Sequence, residues 1–572
     1  MKKTFTSYAT FFLVVGALMM ISCQNQKTSV DLVLHNGIIH TVDQNNAAAQ
    51  AVAVEGDRVV FVGSNQDIQK WIGPNTQVID LKGKTVTPGL IDSHYHFQGV
   101  GKREYDLNLD GCTSLDEFLA RLQHWAAAKP AGEWLTGRGW MEEDWPVKQF
   151  PTRHDLDKVA ADWPVYLNRA DGHMAVVNSK ALQLAGITSD TPNPQGGEIL
   201  KDSNGEPNGL LVDRAMGLVS KHIPSGSREF QEKFAIKAND VALAYGLTTI
   251  HDAGSGWETI NLWKSLYGQG KMQIRIYGYV RGPGADVDTL LQGAPEIGLF
   301  NHHLTIRGIK ISADGALGSR GAALLEKYSD ENTDGLILFG DDEIYPVIKT
   351  ATEKGLQMAI HAIGDRAIRN VLDFYEQALT EVPAEARKIR EPRHRIEHAQ
   401  IVEPSDLPRF AKLGVLPSMQ PSHAIGDLHF AIRRLGLERM SGAYAWRTLI
   451  DLGNVIPGGS DAPVEEGNPM IEFYAAVTRK DTTGFSAEGW HPELKMTRLE
   501  ALKSLTLWGA YAAFEEDLKG SIEVGKLADF AVLDRDLMTE PEESLFRIQN
   551  VMTIVGGKVV YDRARGGISA AR

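Results

Sequence analysis

Asp92, His94 and His96 end the stretch VTPGLIDSHYHFQG, residues 86–99, where an apolar run with a Pro-Gly break gives way to ionisable side chains. Side chains two apart in an extended strand share a face, so His94 and His96 project together, close enough to hold one ion. Two histidines in a surface loop would show the same spacing, and the rest of the chain has to decide. Lys310 in LTIRGIKISADG, His361 in GLQMAIHAIGD, His398 in HRIEHAQ and Asp461 in NVIPGGSDAP each sit in or close a short apolar run in the same way. Singly each of these residues is ordinary. Four imidazoles, an amine and a carboxylate placed alike are hard to explain as accident.

The elements that must position them alternate. Eight short apolar runs that read as buried strands are TPGLIDSHYH, GLTTIHDAG, IRIYGYV, LTIRGIKISADG, GLQMAIHAIGD, HRIEHAQ, GVLPSMQPSH and NVIPGGSDAP. Helical patterns such as RAIRNVLDFYEQAL and DLPRFAKLG separate most of them. This predicts an α/β chain with a (β/α)8 TIM-like barrel over 89–514, its chemistry at the C-terminal ends of the strands. The span exceeds the usual ~250 residues. The excess falls after strand one, at about 100–238, in an insertion rich in tryptophan that emerges on the catalytic face. Its tryptophans are read mainly as core. Val-, Ile- and Asn-Gly-punctuated hairpins over 30–88, repeated in style over 515–565, predict a small β-sandwich built from both ends of the chain.

Composition narrows the class. The 572 residues are 43% hydrophobic and 23% charged, with a net charge of −14 and no basic run, which argues against a nucleic-acid partner. Lys2 and Lys3 precede an apolar stretch from Tyr8 to Ile21, too short for a comfortable span. MISC, residues 20–23, resembles a bacterial lipobox. Residues 1–22 are therefore read as a lipoprotein signal peptide, Cys23 as the lipidated residue and 23–29 as a tether. The expected location is the cell envelope of a bacterium, with membrane contact through the lipid alone. Cys112 then has no partner for an intrachain disulfide, and no CxxC knuckle is present, so a metal site has to use His, Asp, Glu or Lys.

With His-x-His on strand one, Lys on four, His on five and six and Asp on eight, the chain resembles the amidohydrolase superfamily. GLIDSHYH, HAIGD, RIEHAQ and GSDAP, with the long insertion, are similar to its YtcJ-like branch, which includes N-substituted formamide deformylases. The resemblance implies hydrolysis of a non-peptide C–N bond in an amide, N-formyl or N-acyl amine. It implies one or two divalent ions, Zn2+ by ligand type, held by His94, His96, Lys310, His361, His398 and Asp461. A metal-bound hydroxide would attack, and Asp461 would shuttle the proton to the leaving amine. Lys310 would be carboxylated and bridge two ions, or, as a plain amine paired with Asp314, accompany one.

Further expectations concern a small-molecule substrate. His173 in RADGHMAVVNS is a polarising or loop-capping residue, Asp314 and Arg320 in SADGALGSRG are pocket candidates, and His423 is a substrate-side candidate. A homodimer is left open. Two alternatives remain. One is a lipid-anchored binding protein on a degenerate barrel, which needs no proton shuttle. The other takes HRIEH as the H-x-x-E-H string of an inverzincin peptidase; that string requires a helix, whereas Pro392 and the short apolar stretch favour a strand.

Overall fold

The computed structural model describes residues 29–224 and 226–568; the apolar leader, Cys23 and all of the tether but Ser29 lie outside them. Among the described residues no helix is long and apolar enough to cross a membrane.

Seven parallel strands form the barrel: β1 (Leu90–Tyr95), β2 (Leu247–Ser255), β3 (Arg275–Arg281), β4 (Leu304–Ser312), β5 (Gln357–Ala362), β6 (Arg395–His398) and β7 (Leu416–Ser418). They pair in chain order from β1 to β7. The eighth run is extended but makes only isolated bridges, Met419 with Gly458 and Tyr95 with Ala462. Pro457 has no N–H to give to a ladder, so a full strand is not available there. Single hydrogen bonds close the ring instead: Ser93 N–H to Gly458 O (2.9 Å), Asp461 N–H to His94 O (2.7 Å) and His96 N–H to Ala462 O (2.8 Å). Gly459 allows this approach, since a Cβ there would stand 2.5 Å from His94 N and 2.6 Å from Asp92 Oδ1. Asp92 accepts from Ser460 N–H and Oγ and so latches the closing segment to β1.

Outer helices follow from periodicity. In Asp365–Glu381, Ala367, Ile368, Val371, Leu372, Tyr375 and Ala378 recur at three- and four-residue spacing and are buried against the barrel. Ile309 and Ile311 of β4 belong to that outer layer, so Lys310 between them faces inward.

Two sheets at the barrel's other end use both chain termini. Thr85–Pro88 pairs antiparallel with Phe530–Leu533, uniting early and late strands in one seven-stranded sheet. A four-stranded sheet of N-terminal strands packs on it through Leu34, Val52, Val54, Val86, Phe530 and Val532. The insertion carries its own six-stranded mixed sheet between Leu107 and Asp213. Trp140 and Trp145 are buried in its core, while Trp125 and Trp163 pack on the same cluster and Trp134 on a second. His394–His398 does not form a helix: β6 runs through it, and His394 is held apart by Thr352 Oγ1 (2.9 Å) and the Met358 N–H (3.1 Å). The peptidase geometry is therefore absent.

Candidate metal centre

The ends of the strands converge on one mouth. His94 Nε2 and His96 Nε2 stand 3.5 and 3.1 Å from Asp461 Oδ1, and His423 Nε2 stands 3.8 Å from Asp461 Oδ2. Lys310 Nζ lies 3.4 Å from His94 Nε2. The rings continue around the mouth, His94 to His398 at 4.7 Å between centroids, His398 to His361 at 4.5 Å, and His361 to His173 at 4.9 Å. Asp461 belongs to two groups whose donor atoms lie within 4.8 Å of one another, one with His94 and His96, the other with His398 and His423.

Local backbone explains two of these placements. Alternation in β6 puts Arg395 and Glu397 on one face and would send His398 with Ile396 toward the outer layer. His398 instead adopts φ +73° and Asp461 φ +60°, left-handed values that re-aim each side chain and cost about 1–3 kcal/mol apiece. Such strain at two residues of one cluster is itself a mark of function.

Neighbours fix the ring orientations. His94 Nδ1 is 2.5 Å from Glu397 Oε2, and Glu397 is in turn held by Arg395, whose Nε lies 2.7 Å from Oε1. His398 Nδ1 bonds Gln420 Oε1 at 2.7 Å. Both contacts leave Nε2 pointing into the mouth. Asp213 Oδ1 holds His173 Nδ1 at 2.6 Å.

Electrostatics suit a cation. Burial lowers His94 to about 4 and holds His361 and His398 well below their ordinary value, with neighbouring positive groups adding to the effect, so these imidazoles are neutral. Burial alone would raise the Asp461 carboxyl, but the positive charge that His94 and His398 gain in acid, together with the His96 hydrogen bond, holds it well below the usual carboxylate range. Burial brings the Lys310 amine down to about 8.

A divalent ion fits this donor set on one further observation: His361 Nε2 and His423 Nε2 are buried with no hydrogen-bond partner. Native proteins rarely leave such atoms without a reason. Neutral imidazoles with carboxylate oxygen are what a divalent transition ion takes.

Not every expected residue reaches the mouth. Asp314 does not pair with Lys310; its carboxylate accepts N–H groups from Ala323, Ile363 and Gly364 and is fully buried, with His361 Nε2 3.5 Å away. Arg320 is not among the cavity-lining residues and pairs with Asp330 at 3.1 Å. His423, a minor candidate by sequence, stands against Asp461. Glu397 was missed, although its place beside His398 in HRIEH was a usable signal. Gln400, Gln420, Asp427 and Glu465 had no signal, because only the fold brings them to the mouth.

The mouth opens into a cavity of about 870 Å3 bounded by His361, His398, His423 and Asp461 on the barrel side and by Arg169, Asp171 and His173 from the insertion.

A profile of the amidohydrolase family matches residues 77–561. The Bacillus subtilis (strain 168) protein YtcJ is 33% identical over 538 residues, covering 93% of this chain and 99% of that protein. The N-substituted formamide deformylase of Arthrobacter pascens is 31% identical over 554 residues, with 93% and 98% covered. The crystal structure of an uncharacterized metal-dependent hydrolase from Pyrococcus horikoshii OT3 superimposes with a TM-score of 0.71 at 27% identity, over 89% of this chain and 99% of that one.

Proposed function

Because the chain belongs to the amidohydrolase family, enzymes of C–N bond hydrolysis, we propose that it cleaves an amide, N-formyl or N-acyl amine of a small molecule with a divalent ion at the mouth. The observation that carries this is the convergence of His94, His96, His398 and His423 on the Asp461 carboxylate, with His361 Nε2 and His423 Nε2 left without a hydrogen-bond partner. His94, His96, Lys310, His361, His398 and Asp461 would hold the ion or ions, and this ligand chemistry favours Zn2+. When bound, the ion supplies Lewis acidity toward water and the scissile carbonyl.

The residues do the rest. Asp461 accepts a proton from the attacking water as the O–C bond forms, then returns it to the amine nitrogen as the C–N bond breaks. Glu397 fixes the tautomer of His94, and Gln420 that of His398. His173, oriented by Asp213, faces the substrate from the insertion and donates to its carbonyl oxygen. A neutral Lys310 amine can add CO2, losing one proton as the N–C bond forms, and the resulting carbamate is an anionic ligand able to bridge two ions. Lipidation of Cys23, outside the described residues, would hold the enzyme at the cell envelope.

Zinc-loaded protein assayed against N-formyl and N-acetyl amines, with elemental analysis alongside, tests the reading. Lys310→Ala should lower bound metal from two ions toward one, with short carboxylic acids restoring part of it. Unchanged metal content in that variant would leave the one-metal form, and a fully metallated enzyme inert on the whole panel would overturn the reaction.

A further inference from the structure

The cavity in front of the metal centre has a charge pattern that the hydrolytic machinery does not need. Besides Asp461, nine carboxyls line it against two guanidiniums and no lysine. Both guanidiniums are already engaged. Arg169 is fully buried, with Glu142 gripping it at 2.8 and 3.0 Å and Asp171 alongside. Arg103 donates to the backbone carbonyls of Glu465 and Glu466 at 3.2 Å. Asp106, Glu104, Asp171 and Asp481 are paired with Lys102, Lys237, Arg169 and His429, whereas Asp427 and Glu465 have no lysine or arginine partner among the described residues.

These two unpaired acids lie beside the reacting groups. Glu465 follows the closing segment, and an atom at the Cβ position of Gly426 would lie 3.8 Å from Glu465 Oε1, so its carboxylate faces the C-terminal end of the helix Pro421–Asp427. His423 Nε2 stands between them and the metal centre, 4.0 Å from Glu465 Oε1 and 3.8 Å from Asp461 Oδ2. This imidazole is 8% exposed and lines the cavity, and its Nε2 has no partner. Its other nitrogen is locked by Gln400 (2.9 Å), which Tyr444 links to Asp427. The ring cannot turn away from the cavity without breaking that chain. A buried polar atom of this kind, fixed in place and aimed into an acid-walled space, calls for a polar ligand group opposite it. Burial, reinforced by Asp427 and Asp461, raises Glu465 to about 8, and burial raises Asp427 to about 7, as expected of carboxylates lacking a cation.

We propose that the substrate carries an ammonium group a short spacer away from the scissile C–N bond, seated against Asp427 and Glu465 while its amide faces Asp461 and His423. Positive charge on the substrate would be drawn into the cavity by the field of its walls, and an anionic substrate would be repelled. This rests on the C–N hydrolase reading above, and the experiment separates the two.

Zinc-loaded full-length protein is given three formamides of equal chain length: mono-N-formyl diaminobutane, which is cationic, neutral N-formyl butylamine and anionic N-formyl aminobutanoate. In parallel, calorimetry measures binding of butylammonium chloride and of butanol. The expected result is a kcat/KM about tenfold or more higher for the cationic than for the neutral formamide, with the anion poorest. Butylammonium should bind where butanol does not. In the Asp427→Asn/Glu465→Gln variant, its fold checked by melting, the cationic-to-neutral ratio should fall toward one. If no formamide is turned over but butylammonium still binds and the variant loses that binding, the cation site stands and the reaction assignment fails. A neutral formamide cleaved as well as the cationic one, or butylammonium binding no better than butanol, overturns the ammonium proposal and leaves the hydrolase intact.

Discussion

Two buried charged regions of the barrel use the same materials to opposite ends. At the floor, Arg275 opens β3 and grips Asp529 of the sandwich through two hydrogen bonds of 2.7 and 3.0 Å. The remaining groups are met too: Arg275 donates to the carbonyls of Asn301 and His302, and Asp529 accepts from the Gly556 N–H. At the mouth, buried His361 and His423 each keep a nitrogen with no hydrogen-bond partner, and His398 and Asp461 hold left-handed backbone. The floor fastens two parts of the fold together. The mouth keeps its bonding capacity for a metal ion and substrate, and neighbouring packing has to carry the cost of keeping those atoms unpaired.

The largest break in this contrast comes from the metal. Dialysis against a chelator should abolish hydrolysis and added zinc should restore it; full activity in protein shown to be metal-free would make the orphaned atoms structural. Next is the floor. Arg275→Ala strands a buried carboxylate and should cost about 3–5 kcal/mol in urea unfolding, while a loss under about 1 kcal/mol would deny the latch. Burial pushes the Asp529 carboxyl up, but Arg275 more than offsets it, leaving the folded value below the usual one. Its stabilisation is therefore complete above about pH 4 and is lost as pH falls through the folded value. The gap between wild type and variant should accordingly narrow in acid.

Asp461→Asn should show the reverse pattern. It should lower kcat by about 10²-fold or more while shifting stability by less than about 1 kcal/mol, and near-normal turnover would remove Asp461 from proton transfer. The smallest effect belongs to Arg320→Ala. Its partly exposed pair with Asp330 should be worth under about 1 kcal/mol and kcat/KM should hold; a large catalytic loss would return Arg320 to the site.

Much of the barrel was legible because buried parallel strands leave short apolar runs, and their C-terminal residues point one way whatever the intervening loops do. That logic placed His94, His96, Lys310, His361 and Asp461 at one end from local pattern alone. It was less secure for His398, where strand alternation points outward and only the left-handed turn of the backbone aims the ring inward. The eighth run was read as a strand because its pattern is apolar, yet Pro457 reduces it to bridges.

Local spacing by itself determined seven of the eight expected barrel strands, the chemistry-bearing side chains near their ends and, through the union of early and late hairpins, the two-ended sandwich. Tertiary structure decided which of those side chains are left unpaired. Asp314 follows a barrel strand as plausibly as Asp461 ends one, but three backbone amides converge on Asp314, while imidazoles and open cavity surround Asp461. The insertion's register likewise decided that His173 and Arg169 reach the cavity, and the end of the helix Pro421–Asp427 brought Asp427 toward Glu465. Hydrogen-bond partners far apart in the chain leave no periodic trace in sequence, because nothing local depends on them until the fold has closed.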